Sequence, residues 1–175
     1  MLSSSIASAL GNLKFLVLAS CPNCESLPPL GKLQSLEKLK ISHMERLKKV
    51  GPEFLGITSD MLEDQEECDN STSSAQLKVI TSFPRLKQLE FYVMPAWREW
   101  IGIQGWNKER AIVRTMPCLE RLYIYDCKEL EALPELLDEI TLKGLFVDDS
   151  PRLQEWLDSS GYKDGQEIAS PDHQD

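Results

Sequence analysis

The chain has 175 residues, of which 27% are charged, and a net charge of −9. This length allows one domain with a sizeable hydrophobic core, and the acidic balance argues against general binding to nucleic acid, whose phosphates require a basic surface. No apolar run approaches the roughly 20 residues that a membrane-spanning helix needs.

The first feature along the chain is the segment 15-FLVLASCPNCESLPPLG-31. Its Cys21-x-x-Cys24 spacing fits a thiol redox pair or half of a zinc site, and its LASC run resembles the cleavage end of a bacterial lipoprotein signal. The signal interpretation fails because Lys14 is the first charged residue and only a short apolar run follows it. Five scattered cysteines, an odd number, do not fit a secreted disulfide framework and favour a reducing compartment.

An internal repeat explains the same segment. The pattern LxxLxLxx(C/M/S)xx(L/C/W)xx(L/V/W) occurs five times, near 13–28, 36–51, 86–101, 119–134 and 142–157. Alternation in the LxL core sends two apolar side chains inward and the residues between them to solvent, as in a β-strand. One such unit cannot bury its apolar face alone, so neighbouring units must stack. The pattern resembles the leucine-rich repeat. It predicts an α/β fold: a solenoid forming a curved horseshoe arc, with short parallel strands on the concave face and an irregular outer side.

The repeat also accounts for the CxxC. Cys21 occupies the turn-facing core position that Cys127 occupies in the fourth copy, and Cys24 falls where the other copies have Leu or Trp. Both cysteines therefore fill apolar positions. The sequence shows no second CxxC for zinc, no catalytic constellation around His43 or His173 and no phosphate-binding loop. We expect no catalytic, metal-binding or cofactor-binding residues. The alternative is a thiol oxidoreductase using Cys21 and Cys24.

The domain prediction is a single repeat domain over 1–160, followed by a disordered acidic tail over 161–175. Two insertions, 51–82 and 102–115, interrupt the period and are expected to leave from the outer or rim side. Within the first insertion, 60–75 is acidic and lacks any basic residue, which is typical of a solvated or disordered loop. Ile6, Leu10 and Leu13 fit the trailing half of a repeat. We therefore expect the chain to be the end of a longer array or a truncated product of one.

The register predicts which strand residues face solvent on the concave side. They include aromatic residues and Arg, the residue types that dominate binding hot spots. We predict a protein-binding face made of Lys38, Lys40, Ser42, Gln88, Glu90, Tyr92, Arg121, Tyr123, Tyr125 and Phe146. The same register places Phe15, Val17, Ala19, Gly144 and Asp148 on this side.

Several phrases carry a family resemblance: LPPLGKLQSLEKLKISHMERLKKVGPEFLG, SFPRLKQLEFYVMPAWREW and MPCLERLYIYDCKELEALPE. They resemble the C-terminal leucine-rich repeats of plant intracellular disease-resistance proteins of the nucleotide-binding, coiled-coil type. The resemblance implies a non-enzymatic, cytoplasmic interaction module that recognises a pathogen effector or a guarded host protein, or restrains the receptor's own nucleotide-binding domain. No nucleic acid partner is expected. The alternative is a repeat adaptor outside immunity, such as the substrate arm of a ubiquitin ligase.

Overall fold

The computed structural model describes residues 10–57, 78–103 and 111–161. The acidic stretch 60–75 and all of the tail after Gly161 lie outside these residues, so the predictions of disorder made for them stay predictions. The described elements include two single 3₁₀ turns, Leu30–Lys32 and Glu135–Leu137. The other described elements are nine strands and one α-helix: β1 Phe15–Ala19, β2 Lys38–Ser42, β3 Lys49–Val50, β4 Lys78–Ser82, β5 Gln88–Tyr92, β6 Glu99–Trp100, β7 Ala111–Thr115, β8 Arg121–Tyr125, β9 Gly144–Asp148 and α1 Pro151–Ser160.

The main sheet is parallel and contains the five predicted strands, in the order β1-β2-β5-β8-β9. Its register aligns the second leucine of every repeat: Leu16, Leu39, Leu89, Leu122 and Leu145. Four of the five side chains are buried, and Leu16, on the edge strand, is partly buried against the core. The predicted strands and their register are confirmed.

Two smaller sheets complete the described architecture and were not predicted. β3 pairs with β6, and β4 pairs with β7, both in parallel. The pairs follow from two consecutive long repeats, each of which supplies one strand to each of the three sheets. β4 and β7 lie inside the segments interpreted as insertions, so the ends of those segments are regular parts of the repeat. The sequence carries a signal for this, since 82-SFPRL-86 and 115-TMPCL-119 follow equivalent β-branched runs.

The hydrophobic core lies under the main sheet and uses the repeat positions in every unit. Met44, Met94 and Cys127 fill the turn-facing position and are all buried. The central aromatic group is Phe54, Phe83, Phe91, Trp97 and Trp100, in which the Phe91 and Trp97 ring centroids are 4.6 Å apart. Trp97, fully buried, donates a hydrogen bond of 3.0 Å from Nε1 to the Glu99 carbonyl. Core packing is therefore the role that the structure shows for Trp97 and Trp100.

Each strand of the main sheet is followed at once by a residue in the left-handed region. The five residues are Ser20, His43, Val93, Asp126 and Asp149, with φ between 46° and 57°. This conformation turns the chain out of the sheet and toward its return path. Asp tolerates the left-handed region, whereas a β-branched residue such as Val93 does so at a cost.

The fifth repeat differs because its return leg is helical. Pro151 opens α1 at the first helical position, and Gly161 closes it with a φ of 65°. Leu153 and Leu157, one turn apart, are both buried against the core. Because the repeat pattern spaces its apolar residues every three positions here, it is compatible with a helical turn as well as with an extended leg.

Candidate protein-binding face

The predicted face residues do lie together on the main sheet. Register places them in three rows that cross the strands. The first is Phe15, Lys38, Gln88, Arg121 and Gly144; the second is Val17, Lys40, Glu90, Tyr123 and Phe146; the third is Ala19, Ser42, Tyr92, Tyr125 and Asp148. Since side chains alternate along a strand, these rows share the side opposite the buried leucines. The structure brings the predicted set together, and its role in binding stays a prediction.

Aromatic rings cover the half of this face that β5, β8 and β9 form. Tyr123 and Phe146 are stacked, with their ring centroids 4.5 Å apart and an interplanar angle of 8°. Tyr92 and Tyr125 lie beside each other, with centroids 5.9 Å apart. All four side chains are half-buried, so their rings pack on one another and still present area to solvent. Such preorganised aromatic surface costs little entropy to bind.

Gly144 makes the stack possible. A Cβ atom at this position would lie 2.7 Å from Cε2 and 2.9 Å from Cζ of Phe146. The Phe146 ring therefore occupies the space above the glycine, which explains why Gly144, placed on the solvent side by the register, is buried. The sequence analysis gave this glycine no role.

Cations occupy the other half of the face. Lys40 Nζ lies 4.2 Å from the centroid of the Tyr92 ring, and Lys38 Nζ lies 5.6 Å from that of Phe15. Among the described residues, neither lysine forms an ion pair, and neither does Arg121. The face therefore carries positive charge without a carboxylate partner in the described part of the chain.

A polar group separates the two halves. Gln88 donates a hydrogen bond of 2.6 Å from Nε2 to Glu90 Oε1. Burial, together with the nearby carboxylate of Glu90, raises the pKa of Tyr92 to about 12. Tyr92 is therefore a neutral phenol at physiological pH, available as a hydrogen-bond donor.

Ser42 is the one predicted binding residue that the structure removes from the surface. Its side chain is only 4% exposed, although it lies on the solvent side by register. Ser42 is aligned with Tyr92 on the next strand, and its short side chain does not extend as far as such a neighbour. Alternation assigns the side of the sheet, but the size of neighbouring side chains decides accessibility.

The cysteines fit packing better than redox chemistry. Cys21 and Cys24 are partly buried against the core, and burial together with the neighbouring Cys21 thiol raises the pKa of Cys24. Burial raises the pKa of Cys127 to about 12. A reactive thiol needs the opposite shift. Within the described ranges, no three His, Cys, Asp or Glu side chains are grouped to hold a metal ion. No described helix is long and apolar enough to cross a membrane.

The repeated pattern and the parallel sheet that it builds define a leucine-rich-repeat protein. In agreement, residues 1–44 match the family model described as R13L1/DRL21 LRRs.

Curated relatives give the more particular assignment. Putative disease resistance RPP13-like protein 1 of Arabidopsis thaliana is 29% identical over 144 residues, which is 79% of this chain and 12% of that protein. A second putative disease resistance protein of the same plant is 35% identical over 125 residues, covering 71% of this chain and 7% of the relative. Probable disease resistance protein RF45 is 40% identical over 80 residues, or 45% of this chain and 7% of that protein. No solved structure matches.

The chain is a leucine-rich-repeat region related to those of plant disease-resistance proteins, and the resemblance drawn from the sequence is confirmed. It spans 12% or less of the length of these three relatives.

Proposed function

We propose that this chain is a non-enzymatic protein-interaction module of a cytoplasmic plant immune receptor. Its partner is a pathogen effector, a guarded host protein or the receptor's own nucleotide-binding domain. The observation that carries the proposal is that the stacked Tyr123–Phe146 pair shares one side of the main sheet with Lys38 and Lys40, which form no ion pair with the described residues. The disease-resistance names of the relatives support the immune setting.

The proposal includes the shape of the molecule. Residues 1–160 form one domain, a leucine-rich-repeat solenoid curved so that the exposed side of the main sheet is concave. Support comes from the parallel register that repeats across all five strands. In a curved sheet of this kind, side chains from neighbouring strands converge on a bound partner.

Recognition divides between the two halves of the face. The rings supply apolar area at the centre of the contact, where truncation of a hot-spot side chain costs about 2–4 kcal/mol. Lys38 and Lys40 steer a partner of opposite charge and fix its orientation, contributing more to the association rate than to affinity.

Proximity labelling in plant leaves tests the proposal. The chain is fused to a labelling enzyme, and the labelled proteins are compared between the wild type and a Tyr123→Ala/Phe146→Ala variant. A second comparison uses Lys40→Glu, with Lys48→Glu as the matched control, because Lys48 is exposed but lies outside the face. We expect a set of immune proteins to be lost with the face variants and retained with Lys48→Glu. Direct affinity of the purified partner should then fall at least about tenfold for the aromatic variant.

An unchanged set of labelled proteins in both face variants would rule out this side of the sheet. A set dominated by ubiquitin-ligase subunits would favour an adaptor outside immunity. Disulfide-reductase activity of the purified chain that disappears in a Cys21→Ser/Cys24→Ser variant would favour an oxidoreductase.

A further inference from the structure

One edge of the small sheet formed by β4 and β7 is covered by an earlier part of the chain. The Phe83 N–H, directly after β4, donates a hydrogen bond of 2.9 Å to the Gly31 carbonyl. The Gly31 N–H in turn donates one of 3.0 Å to the Phe54 carbonyl. The backbone next to β4 is therefore tied into the preceding repeat.

The other edge, formed by β7, is open in the described part of the chain. The Met116 N–H, directly after β7, donates a hydrogen bond of 2.9 Å to the Ser82 carbonyl of β4. Because backbone groups alternate in direction along a parallel strand, Val113 and Thr115 direct their N–H and C=O groups away from β4. Among the described residues, neither of them has a backbone hydrogen bond on that side. Val113 is only 9% exposed, so its unpaired groups have little access to water and would gain from a protein partner.

The sheet ends at β7 because the next repeat is too short to supply a third strand. Leu89 to Leu122 is 33 residues and includes β7, whereas Leu122 to Leu145 is 23 residues. In place of a strand, the shorter repeat has the 3₁₀ turn Glu135–Leu137. The open edge thus results from the unequal lengths of two successive repeats within the chain.

A groove lies along this open edge, and we call it the β7 groove. It consists of two cavities of about 310 and 670 Å³ whose linings share Val113, Thr115, Leu136 and Glu139. Both volumes fall in the range of about 300–1,000 Å³ that is typical of ligand sites. Trp100, which is 6% exposed, contributes to the apolar lining of the larger cavity. The β7 groove therefore combines open backbone groups with apolar surface.

The larger cavity of the β7 groove carries negative charge that no described residue balances. Five charged side chains line it. Arg98, Glu99 and Glu131 each form an ion pair with a residue outside the lining. The other two, Glu135 and Glu139, are exposed and form no ion pair among the described residues. The unbalanced charge of this cavity is thus that of two carboxylates.

We propose that the β7 groove binds an extended, basic segment of a partner protein. The segment adds to β7 as a third strand, and its backbone pairs with the N–H and C=O groups of Val113 and Thr115. Its lysine or arginine side chains contact Glu135 and Glu139, and its apolar side chains cover the apolar lining. Arg114 lines only the smaller cavity, so the basic residues of the segment belong at the end nearer the larger one. This site is separate from the exposed face of the main sheet and does not depend on the function proposed for that face.

Two ten-residue peptides test the charge selection. One alternates valine with lysine, and the other alternates valine with glutamate. Binding of each to the full chain is measured by fluorescence anisotropy, and hydrogen exchange of the Val113 and Thr115 amides locates the site. We expect the lysine peptide to bind at least about fivefold more tightly than the glutamate peptide and to slow the exchange of both amides.

Paired variants separate the β7 groove from general attraction to a chain with a net charge of −9. Glu135→Gln/Glu139→Gln should weaken binding of the lysine peptide at least about threefold. Glu155→Gln/Asp158→Asn is the matched control, because it removes two exposed carboxylates of α1 that do not line the groove. This control should leave the affinity unaltered.

A third variant tests the backbone contact. Thr115→Pro removes an N–H that points away from β4, and proline is tolerated at such an edge position, so the chain should still fold. Thermal unfolding checks this. The variant should bind the lysine peptide at least about tenfold more weakly, because the peptide loses a hydrogen bond and meets the proline ring.

Several outcomes would overturn the proposal. They are equal effects of the two charge-removing variants, failure of both peptides to bind, full binding by a folded Thr115→Pro variant, and protection of the main sheet instead of β7. Two others would identify a different occupant. Replacing residues 104–110 by the same number of Gly and Ser residues would raise the affinity at least about tenfold if that segment fills the groove. Dimers of the wild-type chain that Thr115→Pro abolishes would identify a second copy.

Discussion

The ring of Phe146 covers Gly144, two residues before it on β9, so closely that a Cβ atom there would lie 2.7 Å from the ring. The ring reaches its stacked position on Tyr123 because the glycine leaves that space empty. The geometry of the aromatic surface thus depends on a residue that contributes no side chain to it.

Gly144→Ala is therefore expected to displace the Phe146 ring and to weaken its stack with Tyr123, which is worth about 0.5–1.5 kcal/mol. The measurement is the ring-current shift of the Tyr123 and Phe146 ring protons by NMR. Gly102→Ala is the control, since the nearest atom to its Cβ would be Leu136 Cδ2 at 3.4 Å. Identical ring shifts in Gly144→Ala and the wild type would show that the glycine does not hold the stack.

Trp97→Ala is expected to lower the free energy of unfolding by about 3–5 kcal/mol, because it leaves a large cavity between Phe91 and Trp100. Trp97→Phe keeps an aromatic ring but leaves the Glu99 carbonyl without its Nε1–H donor. It should therefore cost less than the alanine change. Urea denaturation of the three proteins measures the series. A cost below about 1 kcal/mol for Trp97→Ala would contradict the central place of this ring in the core.

Val93→Asn is expected to stabilise the protein by about 0.5–1 kcal/mol. Val93 has a φ of 52°, and asparagine adopts this left-handed conformation more readily than a β-branched residue. The converse change, Ser20→Val at the equivalent position after β1, should destabilise by a similar amount. Thermal unfolding of both variants checks the pair. Destabilisation by Val93→Asn would mean that the packing of the half-buried valine outweighs its backbone cost.

Ion pairs join neighbouring repeats just before the strands of the main sheet, in a row that we call the charge ladder: Lys14, Glu37, Lys87, Glu120 and Lys143. Acid is expected to weaken this charge ladder. The Lys87 ammonium lowers the pKa of Glu37, and the Lys143 ammonium lowers that of Glu120, from an ordinary value of 4.5. Because the folded-state pKa values are depressed, the stabilisation is present above the unfolded value and is lost as the pH falls through the folded values. The free energy of unfolding should therefore decrease below about pH 4.5.

Urea denaturation between pH 3 and pH 7 measures this dependence. A Glu37→Gln/Glu120→Gln variant should show a shallower decrease, while Glu25→Gln, which removes an exposed carboxylate outside the ladder, should follow the wild type. The difference should shrink at high salt because these charges are exposed. If the free energy of unfolding fell equally steeply with pH in the wild type and in the double glutamine variant, the charge ladder would not be the cause of the acid sensitivity.

The main sheet could be predicted because its signal is local. Alternation places Leu39 and Ile41 on one side and Lys38 and Lys40 on the other, and a parallel strand preserves that assignment wherever it pairs. The sequence could not show that Ser42, which is aligned with Tyr92, is buried, since exposure depends on the surrounding side chains and alternation does not describe them. For the same reason, the sequence could not show that Gly144 leaves room for the Phe146 ring.

The strands β4 and β7 were missed for a different reason. Each is a short run of mixed residues that becomes a strand by pairing with the other, 33 positions away. Their shared feature is a last residue that is Ser or Thr, followed by an apolar residue and Pro, as in 82-SFP-84 and 115-TMP-117. Aligning the chain on this feature, in addition to the leucines, would have predicted a second strand in the two long repeats. The helix α1 also had signals, Pro151 and Gly161, at its two ends.

A left-handed residue follows every strand of the main sheet and turns the chain out of it. The number of residues between two strands is therefore independent of the distance between those strands in the sheet. Leu16 to Leu39 is 23 residues and Leu39 to Leu89 is 50, yet each interval advances the chain by one strand, about 4.8 Å. Once the chain has left the sheet, the length of its route back does not affect where it re-enters. Repeats can therefore gain or lose tens of residues on their return paths while the spacing of Lys40, Glu90 and Tyr123 across the strands stays constant. A binding surface built this way can keep its geometry while the rest of the molecule changes in size.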